Sequence, residues 1–209
     1  MSKPSESLTE RTPQNPHSLA PPSSSAAFSL EQRRLLLRIA HLAIEAVLEN
    51  RIMPDAPPDS PQLAEPRGVF TTLYLHRELR GCVGYASPVV PLYRAVAETA
   101  RAAAFEDSRF APVTSDQVAN LEVSLSVLSP LFPIRPEAVE IGRHGLVISS
   151  GVRRGLLLPQ VPVEHGWDRV TFLEQTSRKA GLPLDAWRGN AKIEAFVAEV
   201  FSDRDVGIS

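Results

Sequence analysis

The chain has 209 residues, 43% of them apolar and 22% charged, with a net charge of −2. That is the composition of a globular protein, and so balanced a charge excludes a strong field toward nucleic acid or anionic membrane. Its single cysteine excludes an internal disulfide and any multi-cysteine zinc or iron–sulfur site within one chain. No apolar run approaches the roughly 20 residues of a membrane span, and Glu6 and Glu10 argue against a transit peptide, so a cytoplasmic location is expected.

Residues 1–27 are rich in Ser and Pro and would bury too little apolar surface to offset the entropy of ordering them. A disordered tail is expected there, followed by one domain over 28–209. Ser29 and Gln32 form a capping-box pattern, and Leu36, Ile39, Ala43, Ala46 and Val47 recur at helical spacing. The predicted helix stops near Arg51, ahead of Pro54, and the Pro-rich stretch to Pro66 reads as a surface linker.

The segment 68–75 is β-branched and aromatic and predicts a strand. A short turn, His76-Arg77-Glu78, leads into a paired strand that ends at the glycines of "LRGCVG". Pro91 suits the first turn of a helix whose inner stripe is Leu92, Val96, Ala100 and Ala103. The loop "EDSRFAPVT" follows, and Thr114 with Gln117 predicts a short capped helix. In "LEVSLSVL" the apolar Leu121, Val123, Leu125 and Val127 alternate with polar residues, as in an antiparallel strand with one buried face. Residues 145–161 read as a hairpin turning at 150–154. A helix from about Asp168 closes at Gly181, with Arg178 and Lys179 suited to its C-terminal end. The segment 192–201 reads as one strand. Strands cluster in hairpins instead of alternating with helices, which predicts an α+β fold with helices packed on antiparallel sheets.

Chemistry concentrates at "LRGCVG". Arg80 lies two residues from Cys82, so on a regular strand both side chains share a face, and a nearby guanidinium favours a thiolate. Gly81 and Gly84 allow close approach of a ligand or another backbone. Free cysteine is also among the most buried residue types, so on physics alone the same stretch reads first as a tight bend around an inert thiol. Cysteine catalysis needs a base, and none of His41, His76, His144 and His165 lies in a motif that assigns it that role. His41 reads as a packed or surface helix residue, and His144 as a solvated turn residue. In "DSRFAP", Asp107 and Arg109 either lock the loop as an ion pair or present a carboxylate receptor. Gln160 ends a strand after Pro159, where its amide is a candidate binding group. No spacing of His, Cys, Asp or Glu suggests a metal site, and no motif implies a cofactor. Arg143, Arg153 and Arg154 could form a basic patch, but the balanced charge disfavours nucleic acid.

Taken together, "LRGCVG", "AAFEDSRFAPVT", "LEVSLSVLSP", "GRHGLVISSGVRRGLLLPQV" and "EHGWDRVTFLEQTSRKAGLPLDAW" resemble the AMMECR family, known in bacteria and archaea as AmmeMemoRadiSam system protein A. The resemblance runs from about residue 30 to 202. It implies two intimately joined subdomains built around antiparallel sheets, with a cleft between them. It implies no settled activity. It does imply company: a Memo-type protein similar to extradiol dioxygenases, and a radical SAM protein. A nucleic-acid role has also been proposed for the family on its "LRGC[IV]G" motif, here Leu79 to Gly84. Ser177 stands where the resemblance implies a second cysteine, which argues against two-thiol chemistry. The resulting expectation is an accessory or binding domain with Arg80, Gly81, Gly84, Asp107, Arg109 and Gln160 as binding residues for a small anionic ligand. An enzyme using Cys82 or Arg80 is the first alternative, and a nucleic-acid module the second.

Overall fold

The computed structural model describes residues 27–53 and 58–208. The expected tail, apart from its last residue, lies outside the described residues, as do positions 54–57 of the expected linker.

The first helix, α1 (Leu30–Leu48), opens on the complete capping box: Ser29 Oγ accepts from the Gln32 amide and the Gln32 side chain accepts from the Ser29 amide. It stops one turn before the expected Arg51, where Asn50 turns left-handed at φ 52°. A short helix α2 (Pro61–Ala64) interrupts the expected linker and buries Leu63 completely, so this stretch is anchored instead of merely lying over the surface. Strands β1 (Val69–Leu75) and β2 (Glu78–Tyr85) form a hairpin, and α3 (Leu92–Phe105) returns across them. Its stripe of Leu92, Val96, Ala100 and Ala103 is buried as the spacing predicts.

Strand β3 (Leu121–Leu128) joins β1 on the side away from β2. Next come β4 (Phe132–Pro133), the hairpin β5 (Gly145–Ser150) and β6 (Arg153–Leu157), and helices α4 (Gln160–Glu164) and α5 (Arg169–Lys179). Asp168 caps α5 through the Thr171 amide, and Gly181 closes it at φ 70°. No short helix starts at Thr114. Gln117 accepts the Thr114 amide as half of a capping box, but the chain makes only turns and a single 3-10 turn at Val118–Asn120 before entering β3.

The expected single strand over 192–201 is two. β7 (Lys192–Phe196) pairs with β5 and β4, whereas β8 (Ala198–Ser202) pairs with β3, and α6 (Asp203–Val206) follows. The break falls at Val197, whose carbonyl accepts the Ser129 amide at 2.8 Å and whose amide donates to Ser129 Oγ at 3.1 Å. Apolar alternation continues through the break, so the pattern alone hides it.

Two antiparallel four-stranded sheets result, ordered β2-β1-β3-β8 and β4-β7-β5-β6. The fold is α+β, with α1 and α3 over one face of the first sheet and α5 over one face of the second. The sheets meet at a small apolar seam of Leu128, Val147 and Phe196, flanked by Phe70, Leu156 and Leu158. Among the described residues no helix is long and apolar enough to cross a membrane.

The β1–β2 turn carries strain. His76 and Arg77 both have positive φ, 52° and 70°, in a two-residue connection that favours Asn-Gly. Arg77→Gly should therefore stabilise the fold by about 0.5 kcal/mol, the relieved backbone strain exceeding glycine's extra unfolded freedom. The readout is a higher urea midpoint at unchanged slope; a lower midpoint would count against strain at this turn.

Candidate functional site at the edge of the first sheet

β2 is an edge strand, so every second amide and carbonyl along it lacks a neighbour. Cys82 occupies such a position, opposite Thr72 on β1. The loop after α3 supplies what a missing strand would have supplied. Asp107 Oδ2 accepts the Cys82 amide at 2.9 Å, and Arg109 Nη2 donates to the Cys82 carbonyl at 3.2 Å. The two side chains are joined to each other at 2.7 Å (Nη2 to Oδ2) and 2.9 Å (Nε to Oδ1). The Asp107–Arg109 pair thus locks the loop, and it does so by closing the sheet edge at Cys82.

The electrostatics follow from these bonds. The Arg109 guanidinium, and then the Cys82 amide, hold the Asp107 carboxyl well below the usual carboxylate range. Asp107 in turn raises the already high value of Arg109. The Asp107 side chain is only 6% exposed and that of Arg109 58% exposed, so the pair presents a guanidinium to solvent over a hidden carboxylate. Arg109 also lies over the Phe110 ring at 5.3 Å.

Cys82 itself is half-buried. Its thiol receives the Thr72 hydroxyl at 3.4 Å. Thr72 pairs with Ser124, and Ser124 with Ser202, so a thiol and three hydroxyl residues form one row across the first sheet on the face away from α1 and α3. Alternation had placed Ser124 and Ser126 on the polar face of their strand. The row itself depends on strand pairing, for which the sequence carries no local signal.

Arg80 stands apart from this row. The β1–β2 register slips between Leu73 and Tyr74, which face Gly81 and Leu79 and leave Arg80 in a bulge. The bulge breaks the regular alternation on which a shared face with Cys82 rests. Arg80 Nη2 donates instead to the Pro112 carbonyl at 3.1 Å and to Gln117 Oε1 at 3.3 Å, sewing the same loop to the strand a second time. Gly81 and Gly84 permit close approach, and their visitors are parts of the fold. A Cβ on Gly81 would lie 2.1 Å from the Ala103 carbonyl oxygen of α3, and one on Gly84 2.3 Å from the Phe70 ring. Gln160 is exposed at the start of α4, after β6 of the second sheet, away from the Cys82 edge.

Among the described residues no histidine is hydrogen-bonded to Cys82. His41 meets Asp203, so it is a paired group instead of a bland helix residue. His144 is buried instead of solvated: Nδ1 accepts the Glu140 amide at 3.0 Å, the ring lies edge-on to Phe132, and burial lowers its pKa. His165 stacks on Trp167 at 4.7 Å. Of the three arginines of the candidate basic patch, Arg143 is engaged locally with Glu140 and Arg153 with the Gly181 carbonyl. Ser177 is fully buried and donates to the Leu173 carbonyl within α5.

A sequence model of the AMMECR1 family matches residues 37–201, which include Cys82, Asp107, Arg109 and both sheets. The chain belongs to the AMMECR1 family. An AMMECR1 relative from Thermococcus gammatolerans is 44% identical over 186 residues, covering 83% of this chain and 91% of its own. Protein MK0488 of Methanopyrus kandleri is 42% identical over 188 residues, with 85% and 91% covered. The crystal structure of the uncharacterized protein PH0010 from Pyrococcus horikoshii superposes with a TM-score of 0.62 at 42% identity, covering 80% of this chain and 89% of that one. The stretch "LRGCVG" is therefore, in this chain, an edge strand whose cysteine backbone is closed off by the "DSR" loop.

Proposed function

We propose that this AMMECR1 protein is a cytoplasmic binding or accessory component that acts beside a Memo-type, dioxygenase-like protein and a radical SAM protein. In this reading the "LRGCVG" strand and the "DSR" loop form a recognition surface. Arg109 and the uncommitted Nε and Nη1 of Arg80 are its cationic groups for a small anionic ligand. One observation carries the preference for binding over catalysis. The Cys82 thiol is met by the Thr72 hydroxyl, and the one carboxylate beside Cys82, Asp107, is bonded to its backbone amide and to Arg109, not to the thiol.

The test is reconstitution. The purified chain is mixed with a Memo-type and a radical SAM protein from one genome and run by size exclusion. Co-elution is expected, and Cys82→Ser should co-elute equally well. Separate elution of the unmodified chain at micromolar concentrations would sink the accessory role. The half-exposure of Cys82 favours the second reading, an enzyme with a reactive thiol. Rapid labelling by iodoacetamide at neutral pH, faster than that of a free cysteine peptide, would shift the preference to it. The nucleic-acid reading rests on the motif alone, and steeply salt-dependent binding would be its signature.

A further inference from the structure

On the other side of the first sheet a cleft of about 540 Å³ opens between α1, the turn that leads into β3, and α6. Leu42, Leu121 and Ile208 give it apolar lining. Its polar groups are unevenly paired. Glu122 and Arg204 bind each other. Asp203 is 5% exposed; Oδ2 accepts the Val123 amide at 2.7 Å and meets His41 Nε2 at 2.9 Å. Its other oxygen, Oδ1, is buried without any donor. A carboxylate oxygen in that state is costly, and a positive group held in the adjoining cleft offsets the cost through its field at low dielectric.

Two further charges on the same wall lack partners. Glu45 is half-buried and Arg38 exposed, and neither side chain forms an ion pair or hydrogen bond among the described residues. They lie seven residues apart on α1, about 10 Å along its axis, with His41 between them. Among the described residues Nδ1 of His41 has no partner either, Nε2 being the nitrogen that meets Asp203. The cleft thus has a free carboxylate at Glu45, a free guanidinium at Arg38, the Asp203–His41 pair between them, and apolar surface alongside. Among the described residues no three His, Cys, Asp or Glu side chains are grouped as a metal ion needs, so the positive partner that fits is one carrying its own N–H donors.

We propose that this cleft is a binding site for a small zwitterion, with its ammonium toward Glu45 and its carboxylate toward Arg38. His41, oriented by Asp203, contributes a polar contact between them. The site is on the helix side of the sheet, opposite the Cys82 row, and stands whether or not the accessory role does.

Three probes of one chain length test it by calorimetry or NMR titration of the full chain: 4-aminobutanoate, butylamine and butanoate. 4-Aminobutanoate should bind saturably, about tenfold or more tighter than either singly charged probe, a difference of about 1.4 kcal/mol. Glu45→Gln should reduce its affinity to that of butanoate, and Arg38→Gln to that of butylamine, with melting temperatures unchanged because neither side chain has a partner to lose. Saturation should shift the Leu42 and Ile208 methyl signals. Equal affinities for all three probes, no saturable binding of 4-aminobutanoate, or indifference of its affinity to both substitutions would each overturn the proposal.

Discussion

Gly81→Ala is expected to lower stability by about 3 kcal/mol, at the upper end of the cost of forcing an extra carbon into packed structure. The added Cβ would sit 2.1 Å from the Ala103 carbonyl oxygen and 2.9 Å from its carbonyl carbon. Both are backbone atoms of a buried helix, so no rotamer change relieves the clash, and α3 must lift from β2. The comparison that isolates this cause is Gly151→Ala in the β5–β6 turn. Gly151 has φ 59° and nothing within 4 Å of an added Cβ, so alanine there meets only the left-handed backbone penalty of about 1 kcal/mol. Gly84→Ala should also cost more than Gly151→Ala, because its added Cβ would meet the Phe70 ring at 2.3 Å and the Val69 carbonyl oxygen at 2.6 Å. Urea unfolding of the three variants gives the ranking. If Gly81→Ala loses no more than Gly151→Ala, close packing of α3 is not the reason for glycine at position 81.

Helix ends that are written locally were legible in the sequence. Ser29 with Gln32 gives the start of α1, and Asp168 with Gly181 brackets α5, because capping chemistry lies within four residues of the cap. Buried faces were legible too, since Leu121, Val123, Leu125 and Val127 need only alternation. What failed depended on contacts between distant residues. Strand residues 192–201 divide between sheets because Ser129 clamps Val197, and nothing local marks that point. His41 looked ordinary because its partner, Asp203, lies 162 positions away. The candidate site shows the same division. Cys82, Asp107 and Arg109 were all selected by residue type, but their joining through the backbone of Cys82 required knowing that β2 is an edge strand. Arg80 seemed to share a face with Cys82 because bulges leave no trace in alternation.

Asp107→Asn should cost about 1.5–3 kcal/mol near neutral pH, the range for losing hydrogen bonds to a charged group. Asparagine can still accept the Cys82 amide through its one oxygen, but it loses the ionic bond that positions Arg109 on the Cys82 carbonyl. Arg109→Gln should cost less, because that side chain is 58% exposed and its attraction is screened by solvent. The pH dependence distinguishes a charged lock from a merely polar one. Asp107 has a folded pKa below its unfolded value, so its ionised form adds stability that is fully present above the ordinary carboxylate pKa of about 3.9. That stability is lost as pH falls below this value toward the lower folded pKa, where the unfolded chain takes up the proton first. Urea midpoints measured from neutral pH into the acid range should therefore converge for the two proteins as pH drops below about 4. In the same variant the Cys82 amide should exchange faster with deuterium, since the sheet edge it closes has been loosened. A gap that stays constant with pH would mean that Asp107 acts through shape alone, and the closed edge at Cys82 would not depend on its charge.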